Sequence, residues 1–440
     1  MTLKKTLVLS TAATGLGPTY PPRPHVATNH IGSHLKKNLR FYTLFFTMAA
    51  LMGLIQGCAA VKSPTISGPG SALERLSLHK YPDFNDDAAY DGLNHAIAQS
   101  LNYLNKLPGQ RAFIFGKDTY SAKHLIKSLT LMQNMLSTKP TAKQMNTYIR
   151  EKYRVYKSKG TGSNHDVLFT GYFEPLLLAS LTKTDQFRYP VYGRPLDHVT
   201  VDLGLFSSDL KGRKITGRHT GKTLVPYYDR QTIKAGLPKK IKPLAWVADR
   251  IGLFFLHIQG SGRIYLPDGQ MLRVNYEATN GQPYRSIGKL LIEQGKIERK
   301  KMSMQAIRTY LKKHPQEVNG ILNHNPSYVF LKISDDGPFG ALGVIVTPSR
   351  SIALDRRVFP LSGLAFVKTK TPLSDTKGQI IEWIDFNRFV LAQDTGGAIR
   401  GPGRADLFWG SGPYAEIAAG HMQHRGSLYF LVLKPKEQSG

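Results

Sequence analysis

The sequence predicts a mainly β fold with a helical N-terminal segment and a separate unit inserted into it, on three observations. Between Asp87 and Tyr156, apolar residues recur at the spacing of helices that bury one face. From Tyr328 on, the apolar runs are short and several do not alternate, as in strands buried on both sides. Between Tyr189 and about Gly320 the chain turns Lys/Arg-rich and is punctuated by Gly193-Arg194-Pro195, Gly236-Leu237-Pro238 and Pro267-Asp268-Gly269, which marks a separate unit.

Taken in order, Ala88, Leu93, Ala96, Ile97, Leu101 and Leu104 define a helix over about 87–106, followed by helices over 122–136 and 142–156. Val167 to Glu174 reads as a strand running into a turn at Pro175. Phe254 to Ile264 reads as strand, tight turn, strand. Helices are expected near 287–294 and 303–313, with a short one at 319–324. The final third reads as strands at 328–333, 343–347, 365–369, 380–384, 389–392 and 428–433, interrupted by a helical turn at 414–422.

The chain has 440 residues, 41% of them hydrophobic, enough for two globular domains with flanking segments. Its net charge of +29 attracts polyanions: nucleic acid, anionic lipid or an acidic cell-wall glycan. No Lys/Arg block of five or more is present, which argues against a nucleic-acid-binding tail. Cys58 is the single cysteine, so no intramolecular disulfide forms. It follows a basic segment, Lys36 to Arg40, an apolar run from Phe41 to Ile55, and Gln56-Gly57. That run is too short for a good membrane span and fits a secretory signal with a lipoprotein-type box, in which the Cys58 thiol is acylated. Ile55 and Gln56 depart from the usual residues of such a box; simple signal cleavage or retention is the other reading. Residues before about Ser33 read as an upstream over-extension of the frame or a non-standard leader.

The stretch from Phe389 to Gly410 carries the chemistry. An apolar run stops at Asp394, and Asp406 follows in front of Phe408 and Trp409, with four glycines and a proline between the two acids. That composition forces turns and can return the chain so that both carboxylates meet at one end of a sheet. Paired carboxylates beside aromatics point to sugar chemistry, because an acid must protonate a glycosidic oxygen while flat rings stack on the pyranose. Turn-capping aspartates would look the same. Asp355 precedes two arginines that would hold it ionised, which favours a structural role, and Glu174 sits among aromatics as a runner-up acid. No metal is expected, since the acids lack a dense ligand cluster and His421 and His424 have no third partner. No Gly-x-Ser-x-Gly elbow and no Walker-type loop occurs, so neither a serine nucleophile nor phosphoryl transfer is supported.

Six strings occur in order: Phe169-Thr170-Gly171-Tyr172-Phe173-Glu174-Pro175, Ile258-Gln259-Gly260-Ser261-Gly262-Arg263, Asn280-Gly281-Gln282-Pro283-Tyr284-Arg285-Ser286-Ile287-Gly288, Asn325-Pro326-Ser327-Tyr328-Val329-Phe330, Ala392-Gln393-Asp394-Thr395-Gly396-Gly397-Ala398-Ile399-Arg400-Gly401 and Arg404-Ala405-Asp406. Together they resemble the membrane-bound lytic murein transglycosylase A family over roughly Val167 to Pro435, with a C-terminal part similar to the three-aspartate (3D) domain.

The resemblance implies a double-psi β-barrel interrupted by an inserted smaller β-rich barrel, with peptidoglycan lying in the groove between them. The implied layout is a leader and signal over 1–58, a tether over 59–86, a helical segment and first part of the barrel over 87–190, the insertion over 191–325 and the catalytic barrel over 326–435. Asp406 matches the family's catalytic acid, Asp394 a supporting acid and Asp355 the third aspartate. Phe408 and Trp409 are expected to desolvate Asp406. Gln259, Ser261, Tyr284 and Arg285 are expected to bind sugar, with Tyr172 and Glu174 joining that set; turn and packing roles would also account for them. The implied reaction is non-hydrolytic cleavage to 1,6-anhydromuramoyl ends, without a cofactor. The competing readings are a two-carboxylate hydrolase using Glu174 and an inert wall-binding lipoprotein. The implied partners are glycan strands, outer-membrane lipid through acylated Cys58 and cell-wall synthesis proteins, and not nucleic acid. The implied location is the periplasmic face of the outer membrane.

Overall fold

The computed structural model describes residues 68, 70–236 and 241–435, so Cys58 and the leader lie outside the described residues. Strand β1 (Leu73–Arg75) opens the fold. Helix α1 (Leu93–Leu104) starts at Gly92, whose φ of 71° breaks the expected longer helix, and buries Leu93, Ala96, Ile97 and Leu104. The hairpin β2 (Ala112–Phe115) and β3 (Asp118–Ser121) leads into α2 (Ala122–Ser137), capped by the Ser121 hydroxyl, which accepts from the His124 N–H. Helix α3 (Ala142–Lys152) starts with a reciprocal Thr141–Gln144 capping box. It ends before β4 (Tyr153–Ser158), where aromatic and β-branched residues favour an extended chain and helical spacing had predicted four more helical residues.

Strand β5 (Val167–Glu174) then hands the chain to a second sheet. Six strands form it in the order β14 (Val329–Ser334), β13 (Met271–Thr279), β12 (Ser261–Tyr265), β6 (Leu176–Ser180), β11 (Pro243–Val247) and β7 (Tyr189–Tyr192). A three-stranded sheet of β8 (His198–Asp202), β9 (Lys214–His219) and β10 (Leu224–Pro226) projects between β7 and β11 in sequence. The helices of this region are α4 (Arg230–Lys234), α5 (Arg250–Gln259), α6 (Ile287–Glu293), α7 (Met304–Lys313) and α8 (Val318–Asn323).

One expectation here is corrected. Phe254 to Gln259 is the second half of α5, not a strand. The Asp249 carboxylate caps its start by accepting from the Ile251 N–H, and Gly260 at φ 81° ends it. Every residue from Ile251 to His257 is buried, so this part of the sequence has no period by which to tell helix from strand.

The chain returns through β15 (Ser351–Ala353), β16 (Leu364–Ser374), β17 (Ile380–Asp394), β18 (Arg404–Ser411), helix α9 (Pro413–His421) and β19 (His424–Leu433). The strands expected at 380–384 and 389–392 are one, β17, paired along its length with β16. No strand forms at 343–347; Ile345 makes only an isolated bridge with Phe339. Pairings run β5-β18-β15-β17-β16-β19, and β19 pairs back onto β5, closing a six-stranded barrel. The closing strand thus comes from the other side of the six-stranded sheet in sequence. Phe366, Phe386, Phe389 and Phe430 belong, with Val155 and Phe169, to one hydrophobic core that the barrel strands share with the N-terminal segment.

A buried ion pair ties the N-terminal segment to this core. The Arg350 guanidinium meets both Asp86 oxygens, at 2.5 and 2.9 Å, and also donates to the Asp91 and Phe389 carbonyls, with both side chains fully buried. Arg350→Met should cost about 3–5 kcal/mol, because it leaves the Asp86 charge buried and unmatched. Urea denaturation of the variant checks this, and a loss under about 1 kcal/mol would mean that the pair is a surface-like contact.

Candidate active site

The site is built where β15 lies between β17 and β18. Ala353 is the register partner of Asp394 in the parallel β15–β17 pair and of Asp406 in the antiparallel β15–β18 pair. One short strand therefore sets the two acids on its two flanks. On the far side of β18, Thr170 and Tyr172 of β5 stand opposite Asp406 and Phe408. Residues two apart on a strand share a face, so Thr170, Tyr172, Asp406 and Phe408 line one surface.

The Thr170 hydroxyl donates to Asp406 Oδ1 at 2.6 Å, and Arg404 donates to the same hydroxyl at 3.3 Å. The Tyr172 hydroxyl donates to Asp394 Oδ2 at 2.8 Å, while the Ala341 and Thr395 N–H groups both donate to Oδ1 at 2.8 Å. Tyr172 packs on Phe408 with ring centres 5.1 Å apart. Trp409, expected beside Asp406, points the other way. It packs on Phe386 and Tyr414 in the core and lies over Gly171, where a Cβ would come within 2.6 Å of its ring. Strand alternation decides this: 408 and 409 cannot face the same side.

Burial pushes the Asp406 carboxyl up to about 6; the Asp394 charge adds to the rise, while the Thr170 hydrogen bond and Arg404 oppose it. Burial also raises Asp394, against the Tyr172, Thr395 and Ala341 donors. Three donors favour the ionised form of Asp394, and Asp406 has one. The pair is therefore arranged to hold one proton, with Asp406 as its holder and Asp394 as the anion.

The other acids are spent elsewhere. Glu174, read from sequence as a runner-up acid, is buried between Arg263 of β12 and Arg273 of β13, each donating at 3.0 Å. Asp355 is buried and, despite that burial, held down at about 2 by the Arg357 guanidinium and the Gly401 N–H. Asp385 pairs with Lys370 on the surface. His421 donates from Nδ1 to the Ile417 carbonyl of its own helix, and His424 lies against Trp383. Among the described residues no group of three or more His, Cys, Asp or Glu is placed to hold a metal ion.

Of the residues expected to bind sugar, Tyr172 joins the two aspartates directly. The Gln259 side chain reaches from the end of α5 to accept from the Phe173 N–H at 3.1 Å, next to Tyr172. Ser261 opens β12 opposite Asn275 and is buried. Tyr284 and Arg285 lie in the loop after β13, where the Asn325 carboxamide accepts from the Arg285 N–H. Arg285 lines a cavity of 450 Å³ with Asp229, Gln282, Asn323 and Pro326, all outside the barrel strands. Thr170, Arg404 and Ala341 were not singled out by sequence reasoning. The first two stand in recognised strings, and Thr170 was findable as the same-face neighbour of Tyr172; no sequence signal marks Ala341.

A closed barrel carrying one proton-holding carboxyl beside a second, ionised one is a general-acid site of the kind that cleavage of a glycosidic bond requires. Residues 168–332 match the "MltA specific insert domain" and residues 350–432 the "3D domain". The membrane-bound lytic murein transglycosylase A of Escherichia coli K12 is 33% identical over 283 residues, 64% of this chain and 69% of that protein. The Buchnera aphidicola homolog is 29% identical over 347 residues, covering 76% of this chain and 86% of its own. A membrane-bound lytic murein transglycosylase structure from Agrobacterium tumefaciens superimposes with a TM-score of 0.67 at 29% identity, covering 82% of this chain and 98% of its own. An E. coli MltA structure with bound chitohexaose gives 0.62 at 27%, covering 84% and 97%. The chain belongs to the membrane-bound lytic murein transglycosylase A family.

The raised Asp406 carboxyl makes a stability prediction. Its folded value of about 6 lies above the ordinary value near 4, so the folded chain binds the proton more tightly and loses stability as pH rises through that window. Asp406→Asn should therefore gain stability relative to the native chain, by up to about 3 kcal/mol, at pH 8 and little at pH 4. Chemical denaturation at the two pH values reads this, and an equal difference at both would refute the assignment.

Proposed function

We propose that this chain is a lytic transglycosylase that cleaves the β-1,4 bond between N-acetylmuramic acid and N-acetylglucosamine in peptidoglycan, leaving 1,6-anhydromuramoyl ends. The observation that carries this reading is a proton-holding carboxyl, Asp406, beside an Asp394 whose oxygens are taken up by the Tyr172, Ala341 and Thr395 donors, so that among the described residues no carboxylate of the site is left free to activate water. Glu174, the candidate for a two-carboxylate hydrolase, is bound by two arginines. The relatives' names and the bound chitohexaose of one neighbour support the substrate class.

Asp406 enters the reaction protonated and gives its proton to the glycosidic oxygen as the C1–O bond breaks. The C6 hydroxyl oxygen of the same muramoyl residue bonds to C1, and the Asp406 carboxylate then takes the hydroxyl proton. Because the nucleophile is intramolecular, its high effective concentration replaces an activated water, and one acid serves as acid and then base. Asp394 supports it in two ways: its charge holds the Asp406 proton in place, and it stabilises positive charge developing at C1. Asp355 braces the loop before β18 through Gly401. Tyr172 and Gln259 stand nearest the acids among the proposed binding residues; Ser261, Tyr284, Arg285 and Glu174 complete the proposed set, Glu174 by fixing the strand on which Tyr172 sits.

The proposed architecture behind this chemistry is a double-psi barrel split over 87–190 and 326–435, with the insertion over 191–325 forming the second wall of a glycan groove. Acylation of Cys58 after the 1–58 signal, with 59–86 as tether, would hold the enzyme at the outer membrane facing the periplasm. No helix among the described residues is long and apolar enough to cross a membrane. Cell-wall synthesis proteins are candidate partners. Palmitate labelling that persists in Cys58→Ala would remove the anchor from this reading.

Purified sacculi digested with the enzyme should yield muropeptides one water lighter than hydrolysed ones, and Asp406→Asn should slow their release by about 10²–10⁴-fold. Glu174→Gln, by contrast, should act through stability; fully hydrated products lost in that variant would establish the hydrolase instead. Activity should fall above about pH 6 as Asp406 loses its proton. Thr170→Val removes a hydrogen bond that favours the ionised form, so it should move that limb to higher pH; a shift to lower pH would contradict the geometry.

A further inference from the structure

A second cavity, of 470 Å³, opens between α4, α5 and the turn that joins β6 to β7. Lys183 and Arg188 stand at its mouth, Lys234 and Arg250 along its side, and Asp185 is the one acid among the residues that line it. Its floor is Arg230 and His257, both buried. The Arg230 guanidinium lies 4.7 Å from the Phe254 ring and 5.3 Å from that of Tyr328.

The floor is electrostatically incomplete. Arg230 donates to the Asn325 carbonyl at 3.0 Å, to the Ser327 carbonyl at 2.5 Å and to His257 Nδ1 at 3.0 Å, all neutral partners. A guanidinium only donates, so Nδ1 must accept and the imidazole proton sits on Nε2. Burial and Arg230 together push His257 well below its usual range, which agrees with a neutral ring. That Nε2–H is buried, with no partner among the described residues. Three of the five Arg230 donors are accounted for, so two more N–H groups remain. A buried cation faced only by neutral acceptors, beside an unmet donor, is costly unless an anion completes it. The apolar and aromatic walls need an organic body as well as a charge.

We propose that this cavity binds a small organic anion through a carboxylate seated between Arg230 and His257 Nε2–H. Its body lies against Phe254 and Tyr328, and further carboxylates meet the lysines and arginines of the rim. A free acidic amino acid and an acidic peptide carry the same chemistry. The site is separate from the two aspartates and does not rest on the cleavage reading, because its test measures binding.

The test is isothermal titration calorimetry of the full chain with glutamate, with the dipeptide γ-glutamyl-diaminopimelate and with inorganic phosphate. Carboxylate binding is expected to weaken about tenfold or more in Lys234→Glu, an exposed rim variant that should fold normally. It should also weaken in Arg230→Lys, which keeps the charge and loses the fork. On binding, the His257 Nε2 nitrogen signal should shift in ¹⁵N spectra. Tighter binding of the dipeptide identifies a peptide ligand, and equal binding of glutamate a free acid; both support the site. Phosphate binding as tightly as either, no heat from any carboxylate at millimolar concentration, or binding indifferent to Lys234→Glu would overturn it.

Discussion

The register of β15 is the constraint on which the site depends. It is three residues long and wholly buried, and its last residue, Ala353, is paired on one side with Asp394 and on the other with Asp406. The acids are brought together by backbone hydrogen bonding, not by any attraction between them, which at short range would be repulsive if both were ionised. Slippage of β15 by one residue would send one partner's side chain to the opposite face. The strand is held against this from its start: Arg350, immediately before it, is locked by Asp86, and its carbonyl accepts from the Leu391 N–H. A buried ion pair in the N-terminal segment thus fixes the spacing of two carboxylates far away in sequence.

A chain this basic leaves few acids to do chemistry, and the arginines sort them. Asp86, Asp355 and Glu174 are each met directly by one or two guanidinium groups and so serve as braces. Asp394 and Asp406 are half-buried and have no direct arginine contact; their donors are hydroxyls and backbone N–H groups, and Arg404 reaches Asp406 only through Thr170. Desolvation then dominates, and Asp406 keeps its proton up to about pH 6. The difference between a structural acid and a candidate catalytic one is here a difference in which neighbour arrives first.

The excursion of the chain between β5 and β15 has the same logic. Glu174 ends β5 and is bound by arginines of β12 and β13, so the six-stranded sheet is bolted to the barrel strand that carries Thr170 and Tyr172. Gln259 adds a second tie, onto the Phe173 N–H. Residues that sequence reasoning assigns to substrate also do the mechanical work of holding two sheets in register.

The sequence by itself determined the class of fold, the helices of the N-terminal segment, most of the strands and the two aspartates, because apolar period, turn residues and the ordered motifs are local properties. It also separated Asp355 from the other acids, since its arginine is two residues away. It misread Phe254 to Gln259, where the unbroken burial of Ile251 to His257 erased the period that tells helix from strand, and it split β17, whose middle is half exposed. Only the tertiary structure decided that Trp409 serves the core while Phe408 serves the site, that Glu174 is held by arginines 89 and 99 residues away, and that Thr170, 236 residues away, donates to Asp406 and opposes the rise that burial gives it. The physical reason is the same in each case. Strand pairing and ion pairing across such separations are settled by how the sheets close, and nothing in the local sequence records the partner.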